Sequence, residues 1–107
     1  MANLNPSTQE NIQELLEILV SFQDVEECRN FMYDLCTMQE LLMFAQRLQV
    51  AKRLMAGDTY DAIRSQLPVS SATITRINTS LQYGSGGYRS VLSRFTPAKD
   101  SDGTSEK

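Results

Sequence analysis

The chain has 107 residues with a formal net charge of −3, two cysteines and no histidine. That length suits one small domain. It excludes a disulfide-built scaffold and a histidine-dependent zinc or acid–base centre, and no apolar run approaches membrane-spanning length.

In chain order, the first helix is predicted over Asn5 to Ser21. Asn5 is its cap, Pro6 takes the first helical position, and Ile12, Leu15, Leu16, Leu19 and Phe22 fall at helical spacing. The start, MANLNPSTQEN, has neither a basic nor an apolar stretch, so no signal peptide is expected. A second helix runs from Asp24, paired with Glu27 as a capping box, to Cys36. Its apolar stripe is Cys28, Phe31, Met32 and Leu35. The two cysteines sit eight positions apart, about 12 Å along a helix, which is too far for a bridge. Buried apolar thiols in a reducing compartment are expected.

The third helix opens at Thr37, with Glu40 completing a second capping box, and ends at Ala56 before Gly57. Leu41, Leu42, Met43, Phe44 and Ala45 make its early part apolar on nearly every side. A helix of that kind must be covered on every side. The choices are a central helix in a monomeric bundle or cover from a second subunit, and the second is preferred.

Residues 59–83, TYDAIRSQLPVSSATITRINTSLQY, form a predicted helix-turn-helix. Thr59 caps a helix over Tyr60 to Gln66, with Ala62, Ile63 and Leu67 inward. Pro68 disfavours helical geometry at Leu67 and stops it. Ser70 and Ser71 can cap the second helix, in which Ile74, Ile77 and Leu81 make one apolar stripe. Gly84 is expected to end it in the left-handed conformation. Gly84-Ser85-Gly86-Gly87 reads as a connector, and Tyr88 to Phe95 as a short last helix. Residues 1–95 are thus expected to form the helical domain, and residues 96–107 a disordered tail.

The outer face of the second motif helix suits DNA. A helix entering the major groove cannot carry bulk at its leading end, and Ser71, Ala72, Thr73 and Thr75 are small. They can offer hydroxyls to base edges and methyl groups to thymine. Arg64, Arg76, Asn78, Thr79 and Gln82 can serve phosphates or bases. The charge distribution agrees. Residues 1–46 hold eight acids (Glu10, Glu14, Glu17, Asp24, Glu26, Glu27, Asp34, Glu40) against Arg29, a net −7. Residues 47–95 hold seven bases (Arg47, Lys52, Arg53, Arg64, Arg76, Arg89, Arg94) against Asp58 and Asp61, a net +5. The half with the motif is the basic half. There is no glycine-rich phosphate loop and no nucleophile with a base beside it, so no enzymatic activity, metal or cofactor is expected.

The segments DLCTMQEL, AQRLQVAKRL, GDTYDAI, SSATITR and LQYGSGGY together resemble the Trp repressor family, in its YerC/YecD-like branch, over roughly residues 10 to 95. The resemblance implies an all-α fold of six helices and a homodimer with interlocked N-terminal helices. It also implies two helix-turn-helix units in successive major grooves of double-stranded DNA. In tryptophan-sensing members two arginines sandwich the indole ring, and their positions match Arg47 and Arg76. A threonine that caps the long helix matches Thr37, and a serine near the ligand's amino group matches Ser80. The glycine that follows the second arginine is here Ile77, whose side chain would fill ligand space. The expectation is therefore a cytoplasmic DNA-binding regulator, a repressor, that needs no tryptophan and has no membrane partner. The alternative is a protein–protein interaction module on the same fold.

Overall fold

The structure, a computed structural model, describes residues 5–95. Over these residues the chain forms six helices and no strand. They are α1 (Pro6–Leu19), α2 (Val25–Leu35), α3 (Met38–Met55), α4 (Tyr60–Gln66), α5 (Ser71–Tyr83) and α6 (Gly87–Leu92). The expected tail at 96–107 lies outside the described residues. The chain divides into two compact units, with the boundary after Leu41, inside α3.

In the first unit, local side-chain chemistry sets the helix ends. Asn5 caps α1 by accepting from the Thr8 N–H at 2.8 Å, with Pro6 following it. Asp24 caps α2 by accepting from the Glu27 N–H at 2.9 Å. The returning half of that box lands one residue early: Glu27 Oε1 accepts from the Gln23 N–H at 2.7 Å. Thr37 and Glu40 make the full reciprocal pair at the start of α3, with bonds of 3.1 and 2.8 Å. The rings of Phe22 and Phe31 meet at 5.4 Å and hold the approach to α2 against its body. Neither α1 nor α2 has a buried residue. Cys28 and Cys36 are free and half-buried, which corrects the expectation of buried thiols. Both belong to α2 or its cap, and α2 has no fully buried residue.

The core lies in the second unit. Val50 and Ala51 of α3, Ile63 of α4, Ile74, Ile77 and Leu81 of α5, and Leu92 of α6 are buried together. Leu54, Met55, Tyr60, Leu67, Val69 and Tyr88 close around them. Ala62, expected inward, is exposed. Tyr60 and Ile63 of α4 and Leu67 at its end, spaced at about one turn, reach the core side, and Ala62 falls off that line.

Helix α3 ends in a Schellman motif. Gly57, at φ +92°, donates to the Leu54 carbonyl and Asp58 donates to the Arg53 carbonyl, both at 3.0 Å. Gly84 behaves otherwise than expected. It is extended (φ −85°, ψ −155°) and not left-handed, and the left-handed residue is Gly86, the cap of α6. Helix α6 is also shorter than expected, and Ser93 to Phe95 form a turn after it. There the Arg94 and Phe95 N–H groups bond three residues back, to Val91 and Leu92.

Candidate nucleic-acid interface

In the second unit, two helices, α4 and α5, are joined by a short turn. Thr59 caps α4 by accepting from the Ala62 N–H at 3.1 Å. The chain leaves α4 at Leu67, which is extended before Pro68. Ser70 then caps α5: its hydroxyl accepts from the Thr73 N–H and donates to Thr73 Oγ1, both at 3.1 Å. Ser71 is the first helical residue and not the cap. Two contacts reach the pair from α3 and its end. Arg53 donates to Gln66 Oε1 at 3.1 Å and lies 3.6 Å from Asp58, while Gln46 Nε2 donates to the Pro68 carbonyl at 3.5 Å. With Ile63, Ile74, Ile77 and Leu81 buried, these contacts fix how α5 is presented.

What α5 presents is its opposite side. Ser71, Ala72, Thr75, Arg76 and Thr79 are exposed, whereas Thr73 and Asn78 are half-buried at the flanks of the apolar stripe. The Thr73 hydroxyl is engaged in the cap, and that of Thr79 donates to the Thr75 carbonyl at 2.9 Å. Ser71 and Thr75 are small, exposed and hydroxyl-bearing. Among the described residues Arg76 has no acidic partner. Arg64 lies 3.7 Å from Asp61 in an exposed pair that is worth little in water.

The residues matched to tryptophan sensing are only partly gathered. Arg47, Arg76 and Ile77 line one cavity of about 210 Å³ together with Met43, Gln46 and Thr73. Drug-sized ligands occupy roughly 300–1,000 Å³. Ile77 is 4% exposed and belongs to the core, so the position that would be open with glycine is occupied. The Arg47 guanidinium lies over the Phe44 ring at 5.8 Å. Ser80 lines a different hollow, of about 560 Å³, with Leu48, Ser85, Tyr88 and Val91. Thr37 caps α3.

Two residues outside the sequence expectation enter this geometry. Gln46 bonds the inter-helix turn and lines the smaller cavity, and no sequence pattern marks it. Tyr83 is 85% exposed at the end of α5, on the same outward stripe as Ala72, Arg76 and Thr79, and helical periodicity alone could have placed it there. No group of three or more metal-ligating side chains occurs among the described residues. None of the described helices is long and apolar enough to cross a membrane.

A small all-helical chain that buries one face of α5 and turns a polar face with small leading residues outward has the build of a DNA-binding regulator. The family model of the Trp repressor protein matches residues 10–96, and the chain belongs to that family, one of regulators and not of enzymes. It is 41% identical over 83 residues to the uncharacterized protein YerC of Bacillus subtilis (strain 168), covering 78% of this chain and 80% of YerC. Two crystal structures share the fold. A TrpR-like protein from Eubacterium eligens ATCC 27750 matches with a TM-score of 0.76 and 38% identity, over 80% of this chain and 89% of that one. A candidate Trp repressor from Staphylococcus aureus matches with a TM-score of 0.76 and 36% identity, over 87% of this chain and 95% of that one.

Proposed function

We propose that the protein is a sequence-specific DNA-binding transcription regulator, a repressor, that acts in the cytoplasm as a homodimer and binds DNA without tryptophan. The observation that carries this reading is α5 itself. Its inner stripe is locked in the core, and its outer face leads with Ser71, Ala72 and Thr75. In the proposed complex the leading end of α5 enters the major groove. There Ser71, Ala72 and Thr75 meet base edges, with Thr73 beside them in the cap. Arg64, Arg76, Asn78 and Thr79 serve phosphates and fix the register. A second copy would place its own α5 about 34 Å away, one DNA turn along.

Tryptophan independence rests on Ile77. Its side chain packs α5 into the core and occupies the edge of the cavity between Arg47 and Arg76. A corepressor acts by favouring the binding-competent arrangement of the helix pair. Core packing by Ile77 favours it permanently, so no ligand is required.

The deciding experiment is selection of bound sequences from random duplexes, with and without added amino acids. The proposal expects one enriched, two-fold symmetric sequence, unchanged by tryptophan. No enrichment at low salt would overturn it. One observation favours the alternative of a protein–protein interaction module: only Arg64 and Arg76 are basic between Thr59 and Tyr83, and Arg64 already has Asp61 beside it. Salt separates the two. Binding through phosphates weakens steeply as salt rises, whereas an apolar protein interface need not.

A further inference from the structure

Tyr83 is the last residue of α5 and is 85% exposed. It lies at the far end of the outward stripe formed by Ala72, Arg76, Thr79 and Tyr83, at i, i+4, i+7 and i+11. Three features keep it there. Gly84 ends the helix immediately after it and is extended, with its N–H bonded to the Ser80 carbonyl at 2.9 Å. Gly86, at φ +83°, turns the chain into α6. Helix α6 then returns along the core side of α5, where Leu92 is buried with Leu81 and Arg89 Nε donates to the Leu81 carbonyl at 3.3 Å. The chain therefore folds back on the side of α5 away from Tyr83. Among the described residues the phenol forms no hydrogen bond within the chain.

Eleven helical steps lead from Ala72 to Tyr83, about 16 Å along the axis. The major groove is about 12 Å wide. When the first turn of α5 reads base edges, its last turn lies past the groove floor, beside the phosphates of the wall. We propose that Tyr83 binds the DNA backbone: its phenolic O–H donates to a phosphate oxygen while Ser71, Ala72 and Thr75 read bases. This rests on the DNA-binding reading above. The chemistry gives it a signature different from that of the arginines. A neutral donor adds affinity without releasing a counterion, so its removal weakens binding and leaves the salt dependence alone. A phosphate contact carries no base identity, so the weakening is the same for related sequences.

The test uses the full chain and the duplex recovered by selection, with single-base variants of that duplex. Binding is measured over a range of salt concentrations for the wild type, Tyr83→Phe, Tyr83→Ala and Arg76→Ala, and melting temperatures are recorded alongside. Tyr83→Phe is expected to weaken binding about two- to tenfold, the equivalent of one hydrogen bond. The loss should be equal on all duplexes, with the salt slope and melting temperature unchanged, whereas Arg76→Ala should flatten the slope. Wild-type affinity in Tyr83→Phe overturns the proposal. So does a changed base preference, which would make Tyr83 a base reader, or a lowered melting temperature, which would make its role structural. If the wild type selects no duplex, the DNA-binding reading fails and takes this proposal with it. If the wild type binds and Tyr83→Phe binds equally well, the Tyr83 contact alone fails.

Discussion

Gly84 is glycine because of a single atom. A Cβ built at that position would stand 2.5 Å from the Ser80 carbonyl oxygen and 3.3 Å from the Ser80 carbonyl carbon. Those are backbone atoms of α5 and cannot swing aside as a side-chain tip could. The requirement is steric, and the left-handed geometry expected from the sequence lies two residues later, at Gly86. Gly87 provides an internal contrast: an added Cβ there meets nothing within 4 Å, and its φ is not positive. Gly84→Ala is therefore predicted to destabilise the protein by about 1–3 kcal/mol, as an overpacked site does. Gly87→Ala should be neutral or stabilise by up to about 1 kcal/mol, by restricting the unfolded chain. Urea unfolding of the two variants checks this pair, and equal midpoints would show that the clash at Gly84 relaxes without cost. Sequence alone marks both residues as glycines in one connector. It cannot tell which of them meets a carbonyl, because that depends on how α5 ends.

At the scale of the helices, what could be read from the sequence was what neighbouring residues decide. The caps Asn5, Asp24, Thr37, Thr59 and Ser70 each bond an N–H three residues on, so five helix starts follow from local composition. The stripe Ile74, Ile77 and Leu81 was legible for the same reason, since helical periodicity is local. The end of α6 was not: Val91 and Phe95 continue the apolar spacing, yet they are 45% and 70% exposed and the helix stops at Leu92. Nor could spacing show that Ser80 and Arg76 line different cavities, which depends on how α3 meets α5 and α6. The packing of α5 carries its own prediction. Millimolar tryptophan is expected neither to raise the melting temperature nor to tighten DNA binding, because Ile77 holds α5 without it. Saturable tryptophan binding by calorimetry, with a matching gain in DNA affinity, would refute this. Ile77→Gly should cost about 3–5 kcal/mol through lost burial and lower helix propensity. It should weaken DNA binding and enlarge the cavity beside Arg76 enough to admit indole, which a calorimetric titration of the variant would detect.

At the scale of the whole molecule, the distribution of apolar surface argues for a second copy. Among the described residues all seven of the core belong to the second unit, and α1 and α2 have no fully buried residue. In α1, Leu15, Leu16 and Ile18 are at least 36% exposed. In the early part of α3, Leu42 is 62%, Met43 44% and Phe44 41% exposed. Burying one such side chain stabilises by about 1.5–3 kcal/mol. Leaving a whole set in water forgoes an amount comparable to the 5–15 kcal/mol net stability of an ordinary domain. Another chain of the same sequence carries the same unmet faces, and symmetric pairing lets each copy cover the other. We predict a homodimer through the first three helices, observed by sedimentation equilibrium at micromolar concentration; a monomer under those conditions would contradict it. Damage to this interface should unfold the chain. Leu42→Glu places a charge where the partner should pack, and a chain with α1 and α2 uncovered has too little buried surface to hold them. Assembly and folding should therefore be lost together, with helical circular dichroism falling as the dimer disappears. A folded, helical Leu42→Glu monomer would show instead that the chain is stable alone and that the exposed faces of α1 and α3 serve another purpose.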